Sequence, residues 1–150
     1  MLEVKVKKLN ERAQMPVKNH SSDACWDLFA LEDGVLSEDG CYIQYKTGIA
    51  IELPQGYDAY IYSRSSVSKY NLVLANSVGV IDETYRGEIL LRFKIVPSVL
   101  NGDSSAIKTY KAGDRIGQIH IQKRVDFIFV EQEDISETNR GIGGFGSTGQ

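Results

Sequence analysis

The sequence predicts an all-β domain, a jelly-roll-like β-sandwich or barrel of short strands, and three observations carry that expectation. Apolar and polar residues alternate in run after run, which sends successive side chains to opposite faces of a sheet. Turn-forming pairs punctuate the runs at Asp33-Gly34, Asp39-Gly40, Asn101-Gly102 and Gly113-Asp114. No long window carries a helical apolar stripe, so at most one short helix is expected, over Ser66–Asn71.

The elements follow in order. Val4 and Val6 alternate with charged neighbours and open the first strand. Cys41–Lys46 and Gly48–Leu53 flank a break, and Tyr57–Ser63 follows the Pro54-Gln55-Gly56 turn. In Glu88–Val96, Ile89, Leu91, Phe93 and Ile95 share one face while Arg92 and Lys94 take the other. Arg115–Gln122 and Val125–Glu131 complete the extended runs. The 150 residues, 42% hydrophobic and 25% charged, suit one domain with its own core. We place that domain at 1–139, with 140–150 as a flexible Gly-rich arm belonging to it.

Composition excludes several classes of function. A net charge of -3 argues against broad electrostatic binding to nucleic acid while leaving room for a local cationic pocket. Cys25 and Cys41, with His20 and His120, are too few for a disulfide scaffold or a Cys/His zinc cluster. No apolar run is long enough for a membrane span or a signal core, so a soluble intracellular protein is expected, in cytoplasm or nucleus.

Five segments carry possible chemistry. Asn76 to Glu88 joins a small apolar stretch, Val78-Gly79-Val80, to a polar cluster; a β-hairpin there would present Asp82 and Tyr85 to one bound molecule. A purely solvated hairpin fits the same residues, and Glu83 reads as a solvated neighbour. Ser63-Arg64-Ser65-Ser66 offers hydroxyls, backbone N–H groups and a guanidinium suited to phosphate, or equally a helix cap. Asp23-Ala24-Cys25-Trp26-Asp27-Leu28 and Gly113-Asp114-Arg115-Ile116-Gly117-Gln118 are each compatible with a strand end or turn. Arg140 to Gly149 matches Gly-x-Gly-x-x-Gly, but no helix can follow it, so a dinucleotide fold is excluded. A cation and a ring, Arg140 and Phe145, among glycines whose N–H groups are free suggest a lid for an anionic, aromatic ligand; a plain flexible tail is the alternative.

In this order the five segments resemble the motifs of the trimeric all-β dUTPase family, the deoxyuridine 5′-triphosphate nucleotidohydrolases. Asp23–Leu28 is similar to the family's Asp/Ser-Ala-Gly-Tyr-Asp-Leu, and Arg64-Ser65-Ser66 to its Arg-Ser-Ser/Gly. Gly79–Gly87 resembles Gly-x-Ile-Asp-x-x-Tyr-x-Gly, and Gly113–Gln118 resembles Gly-Asp-Arg-Ile-x-Gln. Arg140–Gly149 matches Arg-Gly-x-Gly-Gly-Phe-Gly-Ser-Thr-Gly at every specified position. Cys25 and Trp26 depart from the usual Gly-Tyr pair, Ser63 from Pro or Gly, and Thr84 from Asp or Gly.

The resemblance implies hydrolysis of dUTP to dUMP and pyrophosphate, which limits uracil incorporation into DNA and supplies dUMP. It implies Asp82 as the base that activates a water against the α-phosphorus. Arg64, Ser65, Ser66, Gln118 and Arg140 would hold phosphate oxygens under a lid formed by Gly146, Ser147 and Thr148. Tyr85 would exclude a ribose 2′-hydroxyl, Asn76 and Gly79 would read uracil, and Phe145 would stack on it. Mg²⁺ would be the cofactor, reached by Asp27 through water. A homotrimer with shared active sites is implied, with no nucleic-acid or membrane partner. An additional protein partner is left open, with the Val99–Ile107 loop as its place. Two rivals share the fold class: a dCTP deaminase and a nucleotide-binding regulatory module.

Overall fold

The computed structural model describes residues 1–96 and 108–144. Ten strands form in chain order: β1 (Lys5–Lys8), β2 (Trp26–Phe29), β3 (Val35–Leu36), β4 (Ile43–Lys46), β5 (Ile49–Glu52), β6 (Tyr57–Tyr62), β7 (Leu72–Leu74), β8 (Gly79–Ile81), β9 (Leu90–Ile95) and β10 (Arg115–Lys123). Among the described residues a single 3₁₀ turn, Ser65–Lys69, stands where the short helix was expected. All pairings are antiparallel, in sheets ordered β2-β10-β6-β8 and β3-β4-β9-β7, with β1 and β5 as a separate pair. The fold is a β-sandwich of the jelly-roll kind.

The two four-stranded sheets bury alternate residues against each other. Ile89, Leu91 and Phe93 of the predicted face are buried, and Arg92 and Lys94 point outward. They meet Leu28, Ala59, Ile61, Ile116 and Ile119 from the facing sheet in one core cluster. At its centre Tyr45, Phe93 and Tyr110 pack edge-on or tilted, with ring centroids 5.6–5.8 Å apart. The Tyr45 hydroxyl is satisfied by the Tyr110 backbone, accepting from its N–H at 3.1 Å. Burial pushes the Tyr110 hydroxyl up to about 12, so that group stays neutral in the core.

Strands β3, β7 and β8 are only two or three residues long, too short for alternation to mark them, and β2 buries two successive residues, Asp27 and Leu28, which breaks the alternation. Two expectations are corrected. Val125–Glu131 joins no sheet among the described residues; Val125, Phe127, Ile128, Phe129 and Val130 are all exposed. Apolar residues occupy both parities of that run, so no one face can be buried against the sandwich. Nor is the Asn76–Glu88 segment a hairpin. Its first strand, β8, pairs with β6, whereas β9 lies between β4 and β7 in the other sheet, so the segment crosses between layers. The Val99–Ile107 loop and Phe145, Gly146, Ser147 and Thr148 lie outside the described residues.

One glycine sets how closely the layers approach above the site. A side chain on Gly117 would collide with Leu91 of the facing sheet and come within 3.2 Å of the Tyr62 carbonyl. We therefore expect Gly117→Ala to cost about 1–3 kcal/mol of stability through overpacking. Urea unfolding checks this: the midpoint falls, and an unchanged midpoint would mean that the layers yield freely at this point.

Candidate active site

Strand β10 builds one half of the site through a bulge. Gln118 pairs with Asp27 of β2, and Gly117 with Leu28, but the next pair is Arg115 with Phe29, so one residue is extra. Strict alternation would put Arg115 and Gln118, three residues apart, on opposite faces. The bulge absorbs that odd step: Ile116 and Gly117 are both buried, and Arg115 turns to the same carboxylate that Gln118 sits beside.

That carboxylate is Asp27. Arg64 donates to it through Nε at 2.7 Å and Nη2 at 3.4 Å, and Arg115 through Nη1 at 3.0 Å. With the Asp27 side chain only 11% exposed, the ion triad sits in a reduced dielectric where its charges bind strongly. Arg64 also reaches the Ser66 hydroxyl at 3.3 Å, Gln118 Nε2 donates to the Ser63 carbonyl at 3.2 Å, and Arg115 donates to Asn19 at 3.0 Å. An open cavity of about 310 Å³ is lined by Asp27, Arg64 and Gln118 together with Val17–Asn19 and Asp23–Cys25. Ser65 is exposed at the start of the 3₁₀ turn beside it. Burial pushes the Cys25 thiol up, so it lines the cavity as a neutral group.

The other half of the site is the layer crossing. Asn76 and Gly79 lie together: a Cβ on Gly79 would sit 3.3 Å from the Asn76 amide nitrogen and 3.2 Å from Ile61 Cβ. Asp82 is exposed, and its carbonyl accepts the Tyr85 N–H at 3.0 Å to close a turn. The Tyr85 hydroxyl donates to the Glu88 carbonyl at 3.0 Å. Its ring occupies the space that a side chain on Gly87 would need, so a larger residue there would displace the Tyr85 ring. The crossing is pinned at its far end, where Glu88 accepts the Gly48 N–H at 2.7 Å and Thr47 donates to the Ile89 carbonyl at 2.7 Å.

Glu83 is not a solvated neighbour. It accepts from the Gly56 N–H at 2.8 Å and from Arg124 at 3.2 Å, and Arg124 also pairs with Asp58. This carboxylate thereby ties the turn holding Asp82 to the start of β6. Arg140 donates to the Gly143 carbonyl at 3.0 Å, in a turn of its own arm.

Within one chain the two halves stand apart. β8 runs antiparallel to β6 with Gly79 opposite Ile61 and Ile81 opposite Ala59, so Asp82 continues toward Asp58 while Arg64 lies beyond the other end of β6. At about 3.3 Å per residue, the five residues from Ala59 to Arg64 span roughly 16 Å. Asp27, Arg64, Ser66 and Gln118 are thus brought together, as are Asn76 with Gly79 and Asp82 with Tyr85. Sequence reading missed Arg115, Asn19 and Arg124. Arg115 stood inside a quoted motif, but nothing in alternation reveals a bulge.

Removing the shared carboxylate should be costly, because two part-buried guanidiniums lose their counterion. We expect Asp27→Asn to destabilise the fold by about 1–3 kcal/mol. Further replacing Arg115 by Met in that variant should restore part of the loss, read by urea unfolding of both; a free Asp27→Asn substitution would contradict the triad's role.

The chain is similar to known proteins over nearly its whole length. The dUTPase family model matches residues 11–149. A deoxyuridine 5′-triphosphate nucleotidohydrolase from Thermobifida fusca is 41% identical over 147 residues, covering 97% of this chain and 78% of the relative. One from Alkaliphilus metalliredigens is 35% identical over 150 residues, covering 99% of each chain. Among solved structures, the Staphylococcus bacteriophage 80alpha dUTPase with dUPNHPP aligns with a TM-score of 0.73 at 28% identity, over 99% of both chains. A mutant dUTPase from phage phi11 of S. aureus, described for its coordination of a structural Mg(II) ion, aligns with a TM-score of 0.68 at 28% identity, over 90% of this chain and 99% of that one. With its family motifs distributed over β2, β10, the 3₁₀ turn and the layer crossing, the chain belongs to the dUTPase family.

Proposed function

We propose that this enzyme hydrolyses dUTP to dUMP and pyrophosphate by attack of a water on the α-phosphorus. The observation that carries the reading is the convergence of Arg64, Gln118 and Asp27 on one open polar cavity. A triphosphate is the kind of ligand such a wall suits. A guanidinium held in place by two bonds to Asp27 keeps its remaining donors for phosphate oxygens, and it loses little entropy on binding. Ser65 and Ser66 add hydroxyl and N–H donors at the same place.

Asp82 is the proposed base. It is exposed and acceptor-only when ionised, on a turn anchored at both ends, so it can orient a water and take its proton. A positioned base contributes about 10²- to 10⁴-fold, and the remainder must come from holding the triphosphate in line. Tyr85 would carry the sugar, its ring already fixed by the bond to Glu88. Asn76 and Gly79 would read the base edge, where the absence of a side chain on Gly79 lets a base approach the backbone closely. Arg140, Phe145, Gly146, Ser147 and Thr148 would close over the bound nucleotide.

The residues fit a water-bound Mg²⁺. Asp27 presents hard oxygen donors to the cavity, and a carboxylate with about four acceptor positions retains capacity beyond the three bonds from Arg64 and Arg115. When bound, the ion neutralises phosphate charge; Asp27 would hold one of its waters.

The site is proposed to be shared among copies in a homotrimer. Two observations support this: the separation along β6 of the phosphate wall from Asp82 and Tyr85, and the exposure of Phe127, Ile128 and Phe129 beyond β10. No helix among the described residues is long and apolar enough to cross a membrane.

Product analysis tests the reading. Purified protein with Mg²⁺ is incubated separately with dUTP, dCTP, dTTP and UTP. Pyrophosphate and dUMP should form from dUTP alone, and Asp82→Asn should lose at least about 10²-fold in kcat while still binding nucleotide. Ammonia from dCTP would establish the deaminase instead, and binding of dUTP without turnover would establish a regulatory module.

A further inference from the structure

We propose that Lys18, which lies in none of the five motifs, is an additional anchor for the phosphate chain; this rests on the reading of the cavity as a triphosphate site. Lys18 lines the same cavity as Arg64 and Gln118. Its ammonium donates to the Asp23 carbonyl at 2.5 Å and lies 5.5 Å from the centroid of the Trp26 ring. A carbonyl and an aromatic face hold a cation in place without neutralising it. Lys18 forms no ion pair among the described residues, and the Asp23 carboxylate is turned to the His20 N–H at 2.9 Å.

The two cations of the cavity therefore differ electrically. Arg64 shares Asp27 with Arg115, so part of its charge is already answered. Lys18 is half-buried and forms no ion pair among the described residues, with two of its three N–H donors beyond the bond to Asp23. An oligophosphate entering this cavity would meet both a fixed guanidinium and a pre-placed ammonium. Trp26 gives this chain the aromatic face best suited to holding that ammonium. The shared chemistry is that of a polyphosphate, so pyrophosphate alone should be recognised by the same group.

Initial-rate kinetics on wild type, Lys18→Met and Lys18→Arg test this, with inorganic pyrophosphate as competitor and a sodium chloride series. Lys18→Met should raise KM for dUTP and weaken pyrophosphate inhibition by about tenfold each, the size of one charge-assisted contact, with kcat within about twofold. Its affinity should also depend less steeply on salt, and Lys18→Arg should recover most of the loss. A KM and pyrophosphate inhibition within about twofold of wild type in Lys18→Met would overturn the proposal. So would a fall in kcat alone, which marks a structural effect. If wild type does not turn over dUTP, the functional reading fails separately. Calorimetry of pyrophosphate binding to wild type and Lys18→Met then decides on Lys18: a weaker variant supports it, and equal binding overturns it.

Discussion

The carboxylate of Asp27, shared by Arg64 and Arg115, is the interaction on which the site depends. Each arginine comes from a different part of the chain, one after β6 and the other at the start of β10, while Asp27 lies on β2. Three neighbouring strands are thereby joined at one end through a single side chain. The triad exists because β10 gains a residue against β2. Without that bulge Arg115 would point into the sandwich or Gln118 would leave the cavity. Gly117 permits the same distortion from the other side, since a side chain there would collide with the end of Leu91. A fold-level feature and a binding-level feature are here the same few atoms.

Strand β6 is the second constraint. It lies between β10 and β8, with Arg64 and the cavity beyond its C-terminal end and the Asp82 turn at its N-terminal end. Strand rise is not negotiable, so no side-chain rotation brings Asp82 to Arg64 within one chain. The anchoring of the crossing by Glu83 and Glu88 reinforces this, because it fixes the turn on its own side of the sheet. The proposed symmetric assembly would resolve this, since one rotation would bring the half a chain lacks to each site. The exposed Val125–Val130 run, apolar on both faces and outside the sheets, is surface available for such contacts.

Much of this was legible in the sequence where a rule of period two applies. Glu88–Val96 sorts its buried and exposed residues as its alternation requires, and Tyr57–Ser63 and Arg115–Gln122 fall on real strands. Motif order located Arg64, Gln118 and Asp27, which the fold then brings to one cavity. The bulge escaped notice because an inserted residue leaves no mark on composition. The layer crossing after Ile81 read as a hairpin because a polar turn between two apolar stretches says nothing about which strand each will choose. Glu83 looked solvated because its partners, Gly56 and Arg124, are remote in sequence. Trp26 read only as a departure from a motif, and its packing against the Lys18 ammonium shows what it holds.

The central claim, that Arg64 and Asp82 meet only between copies of the chain, is tested most directly by subunit complementation. An Arg64→Ala chain and an Asp82→Asn chain are each assayed for dUTP hydrolysis alone, then unfolded together, mixed in equal amounts and refolded. If the two groups act from different chains, random mixing restores functional sites in about a quarter of cases, from two nearly inactive proteins. Persistent inactivity of the mixture, with wild type regaining activity through the same procedure, would place both residues in a site built by one chain and contradict the account.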